Sequence, residues 1–493
     1  MKRASFLLVA LLLVAGCAAT PTENVPAPTR LGGRADGGPS GLGPQQVPPG
    51  CDANRTAEAH YADAILAPSL FDRPIIPCMS KTGSISREPT IGISSKGTVF
   101  HYPAMTGDNT KPMGVAISKD HGATWRRVLP SIQGVPTHPT SVDPYFYLDP
   151  ATDRAFADDL MTPNCSYFSW SDDDGATWQH SYSGCLETDH QTIFAGKPVT
   201  SQTRGYPNVV YRCAINAVAL GAYSTMSTCQ KSIDGGMTWL APGQPAFTSP
   251  PDRAPPNHCT GAHGHGFADH KGTIYLPKGH CGVPMLGISA DEGATWRRVQ
   301  IASNGIQGHD GGVGVDPAGN IYYTWTATNR LPYLAYSRDG GTTWSAPIMI
   351  GAPEILHARF VELNVGGVGK IAWVYMGTKG PNDKGVQTYD AYLGVSYNAL
   401  DPNPTFYSAT VHDPVADAFR VGTCCGGIQD FIDVRIGPDG TAWGAFVDDC
   451  LGEGTNCRED PSEQLDTHRE GAAGWFWGGP SLWDEADPNG PYK

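Results

Sequence analysis

The sequence predicts an all-β fold, a β-propeller of four-stranded blades, on three observations. Glycine and proline are abundant, at 60 and 42 of 493 residues, while charged residues make up only 17%. Turn-dense β proteins have this composition and helical bundles do not. The pattern Ser-x-Asp-x-Gly-x-Thr-Trp occurs five times, at 118–125, 171–178, 232–239, 289–296 and 337–344. Between and after these copies a two-strand element recurs, and self-similarity at such spacings marks a repeat architecture.

Taken in order, the chain opens with Lys2 and Arg3 before an apolar run, Phe6 to Ala15, too short to span a bilayer as a helix. The run ends in Val14-Ala15-Gly16-Cys17, which resembles a bacterial lipoprotein signal. That resemblance implies a signal peptide over 1–16 and lipidation of Cys17. It also implies a place in the bacterial cell envelope outside the cytoplasm, with membrane contact through the lipid anchor alone, secretion being the alternative. Residues 17–50 are rich in Pro and Gly with few large apolar side chains, the composition of a flexible tether. The folded domain is expected over 51–493. A net charge of −14 argues against a nucleic-acid partner, and a monomer is expected. The cysteines beyond Cys17 are even in number, which outside the cytoplasm suggests disulfides. Sequence neighbours (Cys165 with Cys185, Cys213 with Cys229, Cys259 with Cys281) would staple adjacent hairpins, although spacing leaves the connectivity open.

Each eight-residue repeat reads as a hairpin turn, in which Asp accepts backbone N–H bonds, Gly takes a positive φ, and Thr-Trp begins the next strand. The two-strand element starts near 87, 143, 189, 265, 309, 357 and 429, so seven blades are expected. Blade 6 retains only a degenerate turn within Ser396–Tyr407. Blade 7 would close the ring with the Trp-rich stretch Gly474–Gly479. The repeats are Asp boxes and resemble those of the sialidase (BNR) superfamily. That resemblance implies that Asp120, Asp173, Asp234, Asp291 and Asp339 are structural, and it leaves six blades, as in sialidases proper, as the alternative count.

In a propeller, function concentrates where the starts of the innermost strands converge. Those starts supply Arg87, Glu88, Asp143, Asp189, His190, His263, His265, His309, Asp310, His357, Arg359 and Asp430. Clustered titratable groups of this kind offer acid, base and ligand roles. The sialidase resemblance implies more specific roles. Ser86-Arg87-Glu88-Pro89 matches the opening Arg-x-Pro, making Arg87 part of a clamp on a substrate carboxylate. Asp108 falls where the acid/base aspartate belongs. The Glu-x-x-x-x-Glu-Leu segment aligns with 357–363, where His357 replaces the first glutamate, while Tyr375 stands where a second arginine is expected. Tyr407 is the candidate nucleophile. A glycan held by Arg87, Arg359 and His265, and processed by a glycosidase of exo-sialidase type, is the reading this resemblance implies. A propeller that binds glycan or protein without turnover is the alternative. The histidines support a third reading, in which His263 and His265, two apart on a strand, coordinate a divalent metal such as calcium or zinc for lyase chemistry. No cofactor is otherwise called for.

Overall fold

The computed structural model describes residues 47–62, 65–86, 88–102, 114–130, 144–160, 166–183, 188–216, 226–248, 262–306, 311–380, 389–415, 431–448 and 470–484. The chain divides into a unit of residues 1–39 and one of residues 40–493, and all described residues lie in the second.

Seven antiparallel sheets form this unit. Blade 1 comprises Thr90–Ile93, Val99–Tyr102, Val115–Ser118 and Arg126–Val128. Blade 2 comprises Tyr145–Asp149, Arg154–Asp159, Ser166–Ser171 and Gln179–Ser183. Blade 3 comprises Thr188–Gly196, Val209–Asn216 and Ser227–Ser232, with Leu240 and Phe247 bridging its third strand where a fourth would run. Blade 4 comprises Phe267–Ala268, Ile274–His280, Val283–Ser289 and Arg297–Gln300, and blade 5 Gly312–Val315, Ile321–Thr326, Pro332–Ser337 and Ile348–Met349. Blade 6 comprises His357–Val365, Ile371–Thr378, Asp390–Ser396 and Phe406–Thr410, extended by Glu58–His60. In blade 7, Asp433–Ile436, Ala442–Asp448 and Glu470–Trp477 are joined by Ile76–Ile85 from the other end of the chain.

Each blade's first strand packs on the next blade's, and that of blade 7 packs on that of blade 1. The ring is closed and has seven blades, as the repeat count predicts. The tryptophan-rich stretch, expected to close the ring, is the third strand of blade 7, and closure falls to its outer strand, Ile76–Ile85, which had no sequence signal of its own. The Cys51–Cys78 disulfide ties the entering chain to that strand, and Cys213–Cys229 joins neighbouring strands of blade 3 as expected. Cys281 is disulfide-bonded, whereas Cys165, Cys185 and Cys259 lie outside the described residues.

The core is not one body but seven apolar clusters, one at each blade junction. Phe100 and Phe146 meet between blades 1 and 2, Tyr323 and Leu286 between blades 5 and 4, and Trp443 and Ile91 between blades 7 and 1. Blade strands are therefore covered on both faces, which is why they read as nearly continuous apolar runs such as Ile371–Thr378.

The five Asp boxes follow the third strands of blades 1 to 5 and share one hydrogen-bond pattern. In the blade 4 box, Ser289 Oγ donates to Asp291 and accepts from the Gly293 amide, while Asp291 accepts from the Thr295 amide and hydroxyl. The other four repeat this. The box glycines sit at positive φ, a conformation glycine adopts without steric cost because it has no Cβ. In the degenerate turn of blade 6, Asn398 replaces the aspartate and accepts from the Thr405 amide.

Candidate functional site

The first strands begin at the face opposite the Asp boxes, and their side chains meet at the axis. Blade 2 contributes Tyr145, blade 3 His190 and Thr192, blade 4 His263 and His265, blade 6 Glu362, and blade 7 Asp433 and Arg435. Of these, all but Arg435 are buried, and Arg435 is partly so. His265 Nδ1 lies 3.5 Å from Asp433 Oδ1 and 3.7 Å from Glu362 Oε2. Arg435 pairs with Asp433 at 2.7 Å, and Asp433 also accepts the amides of Ile91 and Val434. The Tyr145 ring stands edge-on to His265, with centroids 5.0 Å apart. Phe431 packs against Tyr145, His190 and His265. Thr192 Oγ1 donates to Tyr145 and accepts the Gly266 amide, so one hydroxyl joins blades 2, 3 and 4.

Local backbone explains how these groups reach the axis. Blade 3's first strand bulges between Asp189 and Thr192, with His190 at φ 51°. Blade 6's bulges between Arg359 and Glu362, with Phe360 at φ 55°. A bulge inserts a residue and re-aims those that follow, so strict alternation fails at both places. Blades 4 and 5 approach at Gly264, where a Cβ would stand 2.0 Å from the Gly311 carbonyl oxygen.

The electrostatics follow from burial. Burial raises the pKa of Tyr145 above the ordinary phenol range, with Arg435 opposing. Burial alone would lower that of Arg435, but Asp433, then Tyr145 and Glu362, raise it. Beside the axis, Arg212 donates to Asp158 at 2.6 Å and to Ser166, yet burial outweighs this pair and raises the Asp158 pKa. Asp159, accepting from the Tyr102 hydroxyl, is pushed up to about 7 by burial.

The structure brings His190, His263 and His265 together, with His190 and His263 centroids 6.1 Å apart. Glu88 stands partly buried before blade 1's first strand. His357 opens blade 6's first strand opposite Thr378. Arg359 Nη1 is buried with no hydrogen-bond partner among the described residues, and its guanidinium lies 5.5 Å from the Tyr389 ring centroid. Arg87, Asp108, Asp143, His309, Asp310 and Asp430 lie outside the described residues, as does the side chain of Asp189. Tyr407 is not at the axis: it sits on the fourth strand of blade 6, where its hydroxyl accepts the Leu70 amide. Its outer position follows from strand order, which the linear pattern does not display. Tyr375 is buried, and its hydroxyl accepts the Ala352 amide. Among the described residues, no three His, Cys, Asp or Glu side chains are grouped to hold a metal ion.

Tyr145, Glu362, Asp433 and Arg435 were not singled out by the sequence. Tyr145 sits in an aromatic strand that reads as core. Glu362-Leu363 ends the segment aligned at 357–363, and that match was the available signal for Glu362.

A closed ring of seven blades carrying five Asp boxes of one pattern is a β-propeller of the BNR/Asp-box repeat class. The family description "BNR/Asp-box repeat" matches residues 335–346, the blade 5 box. No curated protein matches the chain. Among solved structures, the BP39L lectin from Burkholderia pseudomallei shares the fold at TM-score 0.50 and 9% identity, over 73% of this chain and 92% of the lectin. An α-L-arabinofuranosidase from Fusarium graminearum aligns at TM-score 0.41 and 14% identity, over 67% and 96%. The intramolecular trans-sialidase from Ruminococcus gnavus aligns at TM-score 0.38 and 14% identity, over 79% and 94%.

Proposed function

We propose that the axial cluster binds a glycan and hydrolyses a glycosidic bond. The observation that supports this reading is the placement of two carboxylates from different blades, Glu362 and Asp433, within 4 Å of one imidazole nitrogen of His265, with Arg435 and Tyr145 beside them. Glycoside hydrolysis needs one carboxyl to move a proton and another to steady positive charge on the sugar. Asp433 is engaged by Arg435 and two amides, which suits the steadying role. Glu362 then gives its proton to the glycosidic oxygen as the C–O bond breaks; water adds to the anomeric carbon and returns a proton to the carboxylate. The Nη1 of Arg359, buried and without a hydrogen-bond partner among the described residues, favours an acidic sugar, because a buried donor is costly until an acceptor reaches it. This is the exo-sialidase-like form of the reading. In this reading the propeller works outside the cytoplasm, anchored in the cell envelope by acylated Cys17 or secreted, as a monomer acting on a glycoconjugate.

The test is turnover of a panel of aryl glycosides that includes a sialoside. Glu362→Gln should lower kcat by about 100-fold or more, as loss of a positioned acid does, with the melting temperature kept. The second reading is glycan binding without turnover. The saturation of Asp433 by internal donors favours it, and a wild-type protein that binds glycan yet cleaves none of the panel would establish it.

A further inference from the structure

At the face of the Asp boxes, the residue after the box aspartate looks across to the preceding blade, and four of the five junctions are stapled there. Asp174 in blade 2 accepts from Thr98 and pairs with Lys119 of blade 1. Arg154 of blade 2 donates to the Gly235 carbonyl of blade 3. Glu292 in blade 4 accepts the amides of Val199, Thr200 and Ser201 and pairs with Lys231. Arg297 of blade 4 donates to the Gly340 carbonyl of blade 5.

The junction of blades 7 and 1 departs from this. Its residue is His121, which makes no side-chain hydrogen bond among the described residues and only rests edge-on against Trp443 and Trp475. Two cavities of about 350 and 320 Å³ flank it, and both are lined by His121 and Asp439. The first is also lined by Trp477, Tyr397 and Ser481, and the second by Lys96. Asp439 is itself displaced from the usual place. In blades 4 and 5 the hairpin aspartate opens the turn, and Asp269 and Asp316 are consumed by turn amides and a tyrosine hydroxyl. In blade 7 that first position is Gly437. The carboxylate comes two residues later and, among the described residues, is bonded only to the amide and hydroxyl of Thr441.

We infer that the cavities flanking His121 form a second, non-catalytic site for a neutral saccharide, on the face opposite the axial cluster. Adjacent sugar hydroxyls donate to the Asp439 carboxylate, His121 supplies a further hydrogen-bonding nitrogen, and Trp477 with Tyr397 offers an apolar wall for C–H faces. Burial lowers the His121 pKa, with Asp439 opposing, so the ring can accept as well as donate. The cavity size lies in the range of small-ligand sites.

The experiment is titration of the full chain carrying Glu362→Gln, to suppress turnover, with glucose, galactose, mannose, fucose and arabinose and their disaccharides, followed by calorimetry. At least one sugar should bind saturably. Asp439→Asn, which keeps a turn acceptor for Thr441, and His121→Ala should each weaken that binding by about tenfold or more. Asp439→Asn in the otherwise wild-type chain should leave aryl-glycoside turnover within about twofold. Binding indifferent to both substitutions, or no saturable binding to any of these sugars, overturns the inference. Failure of axial turnover with the Asp439-dependent binding intact would leave this site standing and remove the axial reading.

Discussion

Buried single residues set the pH response of the molecule. Burial lowers the pKa of His101 and of His60 to about 4. An unfolded histidine titrates near 6.5, so between about pH 6.5 and 4 the unfolded chain takes up protons that the folded chain refuses, and stability falls. Asp159, with its folded pKa at about 7, acts in the opposite sense. It favours the folded state at low pH, and that stability is lost as pH rises from the unfolded value near 3.8 through about 7. Asp159→Asn keeps an acceptor for Tyr102 and removes the charge. Its melting temperature should exceed that of the wild type at about pH 8, and the advantage should vanish by about pH 4. His101→Asn should flatten the acid limb. Thermal melts across that range check both, and a constant offset between variant and wild type would show that burial of these groups carries no proton linkage. The same scale holds the axial prediction for Glu362→Gln, where kcat and not the melting temperature should move.

At the scale of the element, the Asp box is a turn stabilised by its own side chains. The carboxylates of all five boxes are shifted down, Asp120 chiefly by the Thr124 hydroxyl and Asp339 to about 2 by the Thr343 amide and hydroxyl. This is the signature of a structural acceptor and not of a reactive acid. Asp291→Ala removes an acceptor shared by Ser289 and Thr295 and should cost about 1–2 kcal/mol in denaturant unfolding, with aryl-glycoside turnover unchanged. Loss of turnover from that change would contradict the structural assignment. The boxes were legible in the sequence because their hydrogen bonds are local, so identical residues must recur at identical offsets. The bulges at His190 and Phe360 were not. A one-residue insertion in a ladder depends on the partner strand, and the linear pattern of 357–365 does not show the bulge between Arg359 and Glu362.

For the whole molecule, closure is the decisive event. Blade 7 draws three strands from the C-terminal end and one from Ile76–Ile85, so the ring cannot form until both ends of the domain are present. The Cys51–Cys78 bridge secures that strand. Replacing both cysteines by serine should lower unfolding stability by about 3 kcal/mol through the freed loop, measured in denaturant with the strand pairing retained. An unchanged midpoint would show that the strand pairing alone holds the closure. The junction where His121 and Asp439 line two shared cavities lies beside this seam.

By itself the sequence determined the all-β class and the positions of the five boxes, and its repeats pointed to seven blades, since each is written in local spacing or repetition; the structure settled the blade count and the pairing of Cys213 with Cys229. Tertiary structure alone decided that Tyr145, Glu362, Asp433 and Arg435 join His265 at the axis, that Tyr407 is peripheral, and that Ile76–Ile85 completes the ring. These depend on contacts between residues hundreds of positions apart, for which no periodicity along the chain provides a record.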